Sequence, residues 1–221
     1  MEPGDVIRRS WEVYRAYPRH LITIAAIVFV PLGVAAALLG LIGWPGALVA
    51  NLLGLAAIFL VQGALVKAVE DVRDGRVDIP IAQAYGYAGA RLLSLAAAGI
   101  LATLGIVVGL ALVIVPGLIL LTWWLVISPV IMLEHRSVLE AFGRSRALVR
   151  GSAWPVFGVV VLTLLILLAL GLAVGIAVAP IGNDGVRNFL GQAVGNSLAA
   201  PFLAVAWTLT YFQLREIEEA G

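Results

Sequence analysis

The chain has 221 residues, of which 62% are apolar and only 12% are charged, far from the roughly half-apolar and quarter-charged composition of soluble domains. Its net charge of +1 excludes a long-range field that would attract nucleic acid. It contains no cysteine, which excludes disulfides, thiolate metal sites and thiol nucleophiles. We therefore expect lipid, rather than water, to be its main solvent.

Charged residues are missing from four long blocks of the sequence. The blocks lie between residues 19 and 67, 91 and 134, 150 and 184, and 187 and 215. Since a membrane-spanning helix needs about 20 apolar residues, the first two blocks have room for two spans each and the last two for one each. This predicts an all-α, polytopic membrane helix bundle with six spans. The expected spans are about 21–42, 47–66, 92–115, 117–133, 153–179 and 188–210.

An arginine-bearing amphipathic segment precedes the first predicted span. Asp5 is a favourable N-cap residue and is expected to cap this helix. Along the helix that follows, apolar side chains fall on one face and arginines largely on the other. Such a helix is expected to lie in the membrane surface. The apolar run that follows exceeds the usual signal-peptide core of about 7 to 15 residues, so we expect it to be an uncleaved span.

Glycine and proline mark the turns that divide the spans into hairpins. The expected turns are residues 43–46, Pro116-Gly117 and residues 180–185. Three further prolines, Pro31, Pro129 and Pro201, fall inside predicted spans and are expected to kink them.

The segment before the first span recurs before the later hairpins. Residues 9–15 and 144–150 share the pattern R-S-x-x-[VL]-x-R, and residues 80–91 occupy the corresponding place in the middle of the chain. In the third segment Ser137 and Glu140 form a capping box. The sequence thus predicts three hairpins, each preceded by a cytoplasmic interfacial amphipathic helix. Together they form a single integral membrane domain of residues 1–221, with units of about 1–76, 77–136 and 137–221.

The distribution of Lys and Arg predicts the orientation of the bundle. All but one of these residues lie before, between or after the hairpins, on the side of the two termini. Only Arg187 lies on the other side. Because positive residues concentrate in cytoplasmic segments, we expect a multi-pass protein of the cell membrane with both termini in the cytoplasm.

Six arginines of the amphipathic segments are candidate ligands for membrane lipids or for a membrane or cytoplasmic partner protein. They are Arg8, Arg9 and Arg15 in the first segment and Arg144, Arg146 and Arg150 in the third. Each arginine near anionic headgroups contributes about 1 kcal/mol. The alternative is that these helices only anchor the bundle.

The predicted spans contain neutral polar residues and no charge. Ion-coupled transporters usually keep an ionisable group near the midplane, so the pattern argues against that class. The amides are Asn51, Gln62, Asn188, Gln192 and Asn196. They either form interhelical hydrogen bonds or line a polar cavity for a small neutral or zwitterionic solute or lipid.

Nothing in the sequence matches an enzyme motif, and we expect no catalytic site, cofactor, metal or nucleic-acid partner. The histidines His20 and His135 lie at the ends of predicted spans without an evident ligand partner. The acidic loop of residues 70–78 contains Arg73 and Arg76 and closely follows Lys67, so mutual neutralisation accounts for its carboxylates better than a divalent ion.

Residues 114–151 combine a Pro-Gly pair, a proline-containing apolar run and the sequence E-A-F-G-R-S-R-A-L-V-R-G. This stretch resembles the membrane domain of bacterial glycerophosphoryl diester phosphodiesterases and related stand-alone membrane proteins. Residues 211–215, Y-F-Q-L-R, are similar to the end of that domain, except that Gln213 replaces an acidic residue. The resemblance implies a six-span bundle. It implies no catalysis, because hydrolysis in those enzymes belongs to a separate soluble barrel with no counterpart here.

The leading hypothesis is a non-catalytic membrane protein that organises lipid or partner proteins at the cytoplasmic face. The alternative is a carrier or flippase for a small neutral or zwitterionic solute or lipid.

Overall fold

The computed structural model describes residues 1–220, apart from the side chain of Asp74. Within this range the chain forms ten α-helices, a 3₁₀ turn at Val72–Asp74 and no strand. The helices are α1 Pro3–Ala16, α2 Pro18–Gly40, α3 Trp44–Asp71, α4 Ile81–Ala90, α5 Leu92–Leu112, α6 Ile114–Trp123, α7 Ile127–Leu133, α8 Val138–Arg150, α9 Ala153–Val178 and α10 Asp184–Ala220. The predicted all-α bundle is confirmed.

Six stretches of helix are long and apolar enough to cross a membrane. They are α2, α3, α5, the pair α6 and α7, α9, and α10. Large apolar side chains cover much of their outer surface; Leu93, Leu112 and Ile176, for example, are 87%, 77% and 74% exposed. Such a surface is compatible with a multi-pass membrane protein, because exposed apolar side chains are favourable in contact with lipid and unfavourable in contact with water.

The spans pack as neighbours in sequence, and the two ends of the bundle differ. α2 packs on α3, α5 on α6, and α9 on α10, while α10 also contacts α2 and α3. We call the end with α1, α4, α8 and the last turns of α10 the Arg-rich end. The end with the turns at residues 41–43, 113 and 179–183 is the turn end. Most large, fully buried side chains lie toward the Arg-rich end, including Leu21, Leu65, Ile131 and Tyr211.

The turn of the second hairpin differs from the prediction. α5 ends at Leu112, Val113 is extended, and α6 begins at Ile114. The predicted turn residues Pro116 and Gly117 therefore lie in the first turn of α6, where a proline needs no N–H partner. Gly117 faces α5 instead, since a Cβ added to Gly109 would lie 2.9 Å from its Cα.

The fourth span is broken, although the sequence predicts one continuous helix over 117–133. α6 ends at Trp123 and α7 begins at Ile127. Pro129 has no N–H to donate to the carbonyl of Leu125, and its ring would clash with that carbonyl in a helix. The chain therefore interrupts the helix before Pro129 rather than bending it.

Two helix boundaries also differ. α1 begins at Pro3 with Glu2 as N-cap, so Asp5 lies within the first turn rather than capping it. α10 runs past the predicted end at residue 210 to Ala220. Its 37 residues correspond to about 55 Å at 1.5 Å per residue, against a membrane core of about 30 Å. The last turns of α10 thereby reach α8.

Candidate functional site

The start of α8 is fixed by the predicted capping box. The backbone N–H of Ser137 donates to Glu140 Oε2 at 3.0 Å, and the Ser137 side chain accepts from the backbone of Glu140. Hydrogen bonds from the backbone N–H of Ser137, and from its side chain, to the Glu140 carboxylate hold the pKa of that carboxyl below its ordinary value. The capping box thus fixes the residue at which α8 begins, and with it which side chains lie on each face of the helix.

One face of α8 closes the break in the fourth span. Ser145 is fully buried, and its hydroxyl donates to the carbonyl of Trp123 at 2.7 Å. That carbonyl ends α6 and has lost its helical partner, because the N–H of Ile127 donates to Trp124 instead. Beside this bond the rings of Trp124 and Phe142 meet edge to face at 4.9 Å. α8 is therefore part of the bundle rather than a loosely attached surface helix.

Arg144 lies in a network of ion pairs that joins α7, α8 and α10. Its Nε donates to both oxygens of Glu134 at 2.9 and 3.1 Å, and its two Nη atoms donate to Glu218 at 2.6 and 2.7 Å. The Tyr211 hydroxyl also donates to Glu134, at 3.1 Å. Hydrogen bonds from Arg144 to Glu218, followed by those to Glu134, raise the pKa of its guanidinium despite partial burial. Arg144 is thus directed inward, unlike its predicted companions.

Arg146 and Arg150 are directed outward. Both are exposed, and neither forms an ion pair with a carboxylate in the described part of the chain. The guanidinium of Arg146 lies 4.3 Å from the centre of the Trp123 ring. Because residues four apart on a helix are neighbours on one face, the two cations share a side of α8.

An apolar groove lies beside Arg146. It runs between α6 and α9, has a volume of about 450 Å³, and is lined by Trp123 together with Leu118, Ile119 and Phe157. Trp154, 82% exposed, stands at the start of α9 and also lines it. The groove and the cation therefore share the Trp123 ring as a common wall.

The arginines of α1 have a different setting. Arg8 forms an exposed ion pair with Asp5 at 3.1 Å, while Arg9 and Arg15 are exposed. α1 is attached to α10, where the Tyr14 hydroxyl donates to the carbonyl of Leu198 at 3.3 Å. None of the three arginines lines the α6–α9 groove.

Of the five amides singled out in the spans, the structure brings three together. Asn51, Gln192 and Asn196 line one groove between α2, α3 and α10. Asn188 lies outside it and is exposed, and the Nε2 of Gln62 is buried without a hydrogen-bond partner among residues 1–220.

The carboxylates of the acidic loop close the loop itself. Asp71 accepts the backbone N–H groups of Asp78 and Ile79, each at 3.0 Å. Glu70 pairs with Lys67, and Arg73 pairs with Glu216 on α10 at 3.1 Å. Among the side chains that the structure describes, which exclude Asp74, no three His, Asp or Glu residues are close enough together to hold a metal ion.

Sequence reasoning missed the partners of Arg144. Glu134 follows an apolar run, and Glu218 lies in an acidic stretch near the end of α10. The available signal was the position of Glu134 directly after the predicted fourth span, ten residues before Arg144. Without the length of α10, however, nothing in the sequence indicates that Glu218 reaches this point.

Comparison with known proteins identifies a family but no function. A family model described as "Domain of unknown function (DUF7847)" matches residues 43–214. The chain belongs to this family. The matched region includes α8, Tyr211 and all of the α6–α9 groove. It also includes the α3 and α10 residues of the second groove, whereas α1 and α2 precede it. No curated protein and no solved structure matches the chain. The resemblance to the phosphodiesterase membrane domain therefore stays a prediction.

Proposed function

We propose that the chain is a non-catalytic protein of the cell membrane that binds anionic phospholipid at α8 and so organises lipid, or a partner protein, at the cytoplasmic face. The observation that carries this proposal is the position of Arg146 against Trp123, on the wall of the apolar groove. A phospholipid has groups that suit both features: its acyl chain fits the apolar groove, and its phosphate fits the guanidiniums of Arg146 and Arg150. The positive-inside pattern of the sequence supports a cytoplasmic position for this end.

Selectivity in this site comes from the headgroup. A lipid tail gains little by moving from other tails into an apolar groove, because the bilayer core is equally apolar. The guanidiniums, in contrast, recognise phosphate through charge and directed N–H donors. Two arginines at about 1 kcal/mol each correspond to a preference of roughly 30-fold for an anionic over a neutral headgroup.

The rigidity of α8 supports the same reading. The capping box, the Ser145 bond to Trp123 and the Arg144 ion pairs fix the helix at its start, middle and inner face. Arg146 and Arg150 are thereby held in position before a ligand arrives, which lowers the entropic cost of binding. In this account Arg144 supports the site without contacting the lipid.

The test is the affinity of purified protein for phosphatidylglycerol and phosphatidylcholine, measured by native mass spectrometry. For Arg146→Gln combined with Arg150→Gln we expect a roughly 30-fold loss of phosphatidylglycerol affinity, and no change for phosphatidylcholine. The control is Arg187→Gln, which removes one positive charge at the turn end and should leave phosphatidylglycerol affinity unchanged. Equal losses in the double variant and in Arg187→Gln would refute a specific site on α8.

A charge-preserving variant separates stacking from charge. Arg146→Lys keeps the positive charge but loses the planar group that lies on Trp123. We expect Arg146→Lys to bind phosphatidylglycerol more tightly than Arg146→Gln but more weakly than the unsubstituted protein. Full recovery would mean that a point charge is sufficient and that the position against Trp123 is irrelevant.

A further inference from the structure

A second groove, with a volume of about 540 Å³, lies between α2, α3 and α10. It shares no residue with the groove beside α8. The groove extends from Gly40 and Ala47, which flank the first hairpin turn, down to Phe29 and Ile58. It therefore occupies the half of the bundle toward the turn end and opens near the first turn.

Three amide side chains lie along this groove at membrane depth. α3 begins at Trp44 and α10 at Asp184, so Asn51 and Asn196 lie about 10 and 18 Å along their helices at 1.5 Å per residue. Counted from the predicted span starts at residues 47 and 188, they lie about 6 and 12 Å inside a core of about 30 Å, below the headgroups. An amide without a hydrogen-bond partner in hydrocarbon is strongly unfavourable, so polar groups of a solvent or ligand are needed there.

The protein leaves most of the hydrogen-bonding capacity of these amides unused. Asn51 donates through Nδ2 to the carbonyl of Ala47 at 2.8 Å, which leaves its Oδ1 as an acceptor. The side chains of Gln192 and Asn196 are exposed, and no hydrogen bond joins them to other residues of the described chain. The three amides are thus not bonded to one another across the helices. This arrangement disfavours the alternative that they serve to hold the spans together.

Small residues keep the groove open. Gly33 and Ala36 on α2 and Ala50 and Gly54 on α3 are among its lining residues. Gly33 lets Phe189 of α10 approach closely, since a Cβ there would lie 2.6 Å from that ring. A Cβ added to Gly54 would meet no atom within 4 Å. Room is therefore available beside the amides rather than being taken up by packing.

The chemistry of the lining defines the ligand. Amides both donate and accept hydrogen bonds, and no charged side chain is among the residues that line the groove. A charged ligand would lack a counterion in this low-dielectric position. We propose that the groove binds an uncharged, polyhydroxylated group that enters from the turn end. Such a group is carried either by a free sugar or polyol or by the headgroup of a neutral glycolipid.

The test uses the full chain in nanodiscs and saturation-transfer NMR, with glucose as the soluble probe and a monoglucosyl diacylglycerol as the lipid probe. Saturable binding of either probe supports the proposal and identifies the source of the hydroxyl groups. Glucuronate, which has the same ring and one carboxylate, is expected to bind about tenfold more weakly than glucose or not at all. Binding of neither probe, or equal binding of glucuronate and glucose, would overturn the proposal.

Matched variants locate the binding. Asn51→Leu and Asn196→Leu each remove amide hydrogen bonds at similar volume and should weaken the bound probe about tenfold. Asn188→Leu is the control, because Asn188 is an exposed amide of the same helix outside the groove. Equal effects of Asn188→Leu and Asn196→Leu would contradict the assignment.

A filling variant tests the space itself. Gly54→Leu should abolish binding, whereas Gly171→Leu, at a glycine of α9 that also has nothing within 4 Å, should not. Thermal melting of both variants checks that they fold. Arg146→Gln with Arg150→Gln should leave sugar binding unchanged, so this proposal and the lipid site at α8 fail independently. Unimpaired binding in Gly54→Leu would overturn the proposal.

Discussion

The ion pairs of Arg144 support a quantitative prediction about stability. Arg144 makes four hydrogen bonds to two carboxylates, and the side chain of one of these, Glu134, is only 11% exposed. In Arg144→Gln, Glu134 keeps the Tyr211 hydroxyl and Arg136 at 3.6 Å but loses its nearest cation. Losing the nearest cation and its two hydrogen bonds leaves a nearly buried carboxylate poorly compensated, which is destabilising.

The magnitude follows from the exposure of the partners. Removing one side of a buried pair costs about 3–5 kcal/mol, whereas an exposed pair contributes about 0–1 kcal/mol. Arg144 is 22% exposed and Glu218 is 47% exposed. We therefore expect the free energy of unfolding to fall by about 2 kcal/mol, mostly through Glu134.

The assay is unfolding in mixed micelles by titration with dodecyl sulfate, followed by circular dichroism. The control is Arg146→Gln on the same helix, which loses only its contact with Trp123 and should cost less than about 1 kcal/mol. In a double-mutant cycle, Glu134→Gln and Arg144→Gln should show a coupling of about 1 kcal/mol. Equal costs for the two arginine variants, with no coupling, would refute the stabilising role of Arg144.

Three further outcomes test the fold. Ser145→Ala leaves the carbonyl at the end of α6 without its donor, so unfolding free energy should drop by about 1–3 kcal/mol. Gly109→Ala brings a methyl group within 3.0 Å of facing backbone and should lower the unfolding free energy by about 1–3 kcal/mol in the same assay. Its control is Gly171→Ala, which has open space around it and should be neutral or slightly stabilising. A reversed order would contradict the close packing of α5 on α6. In single-cysteine variants of this cysteine-free chain, an impermeant maleimide added outside intact cells should label Gly182→Cys and not Glu219→Cys, and the opposite pattern would reverse the proposed orientation.

The number of spans and the approximate position of two of the three turns were predictable, because lipid requires long apolar runs and turns favour glycine and proline. Errors arose where a proline was read without its helical context. The Pro116-Gly117 pair predicts a turn, yet a proline is also favourable in the first turn of a helix. Pro129 predicts a kink, yet the Ser145 hydroxyl of α8 donates a hydrogen bond to the carbonyl that a full break exposes.

The two sites were predictable to different extents. The residue types of both sites can be recognised from the sequence, since arginines beside apolar helix faces and amides inside spans are evident there. Their partners were not. Whether Arg144 points inward depends on how far α10 extends, and whether Asn51 and Asn196 meet depends on the packing of α2, α3 and α10.

The most direct test of the lipid site is photo-crosslinking from within the groove. A photoreactive amino acid at Ile119, which lines the groove, is compared with one at Leu172, an exposed residue of α9 outside it, in membranes that mix phosphatidylglycerol and phosphatidylcholine. At Ile119 the cross-linked lipid should be enriched in phosphatidylglycerol above its fraction in the membrane, and Arg146→Gln with Arg150→Gln should abolish the enrichment. The membrane-average composition at both positions would contradict a lipid site at α8.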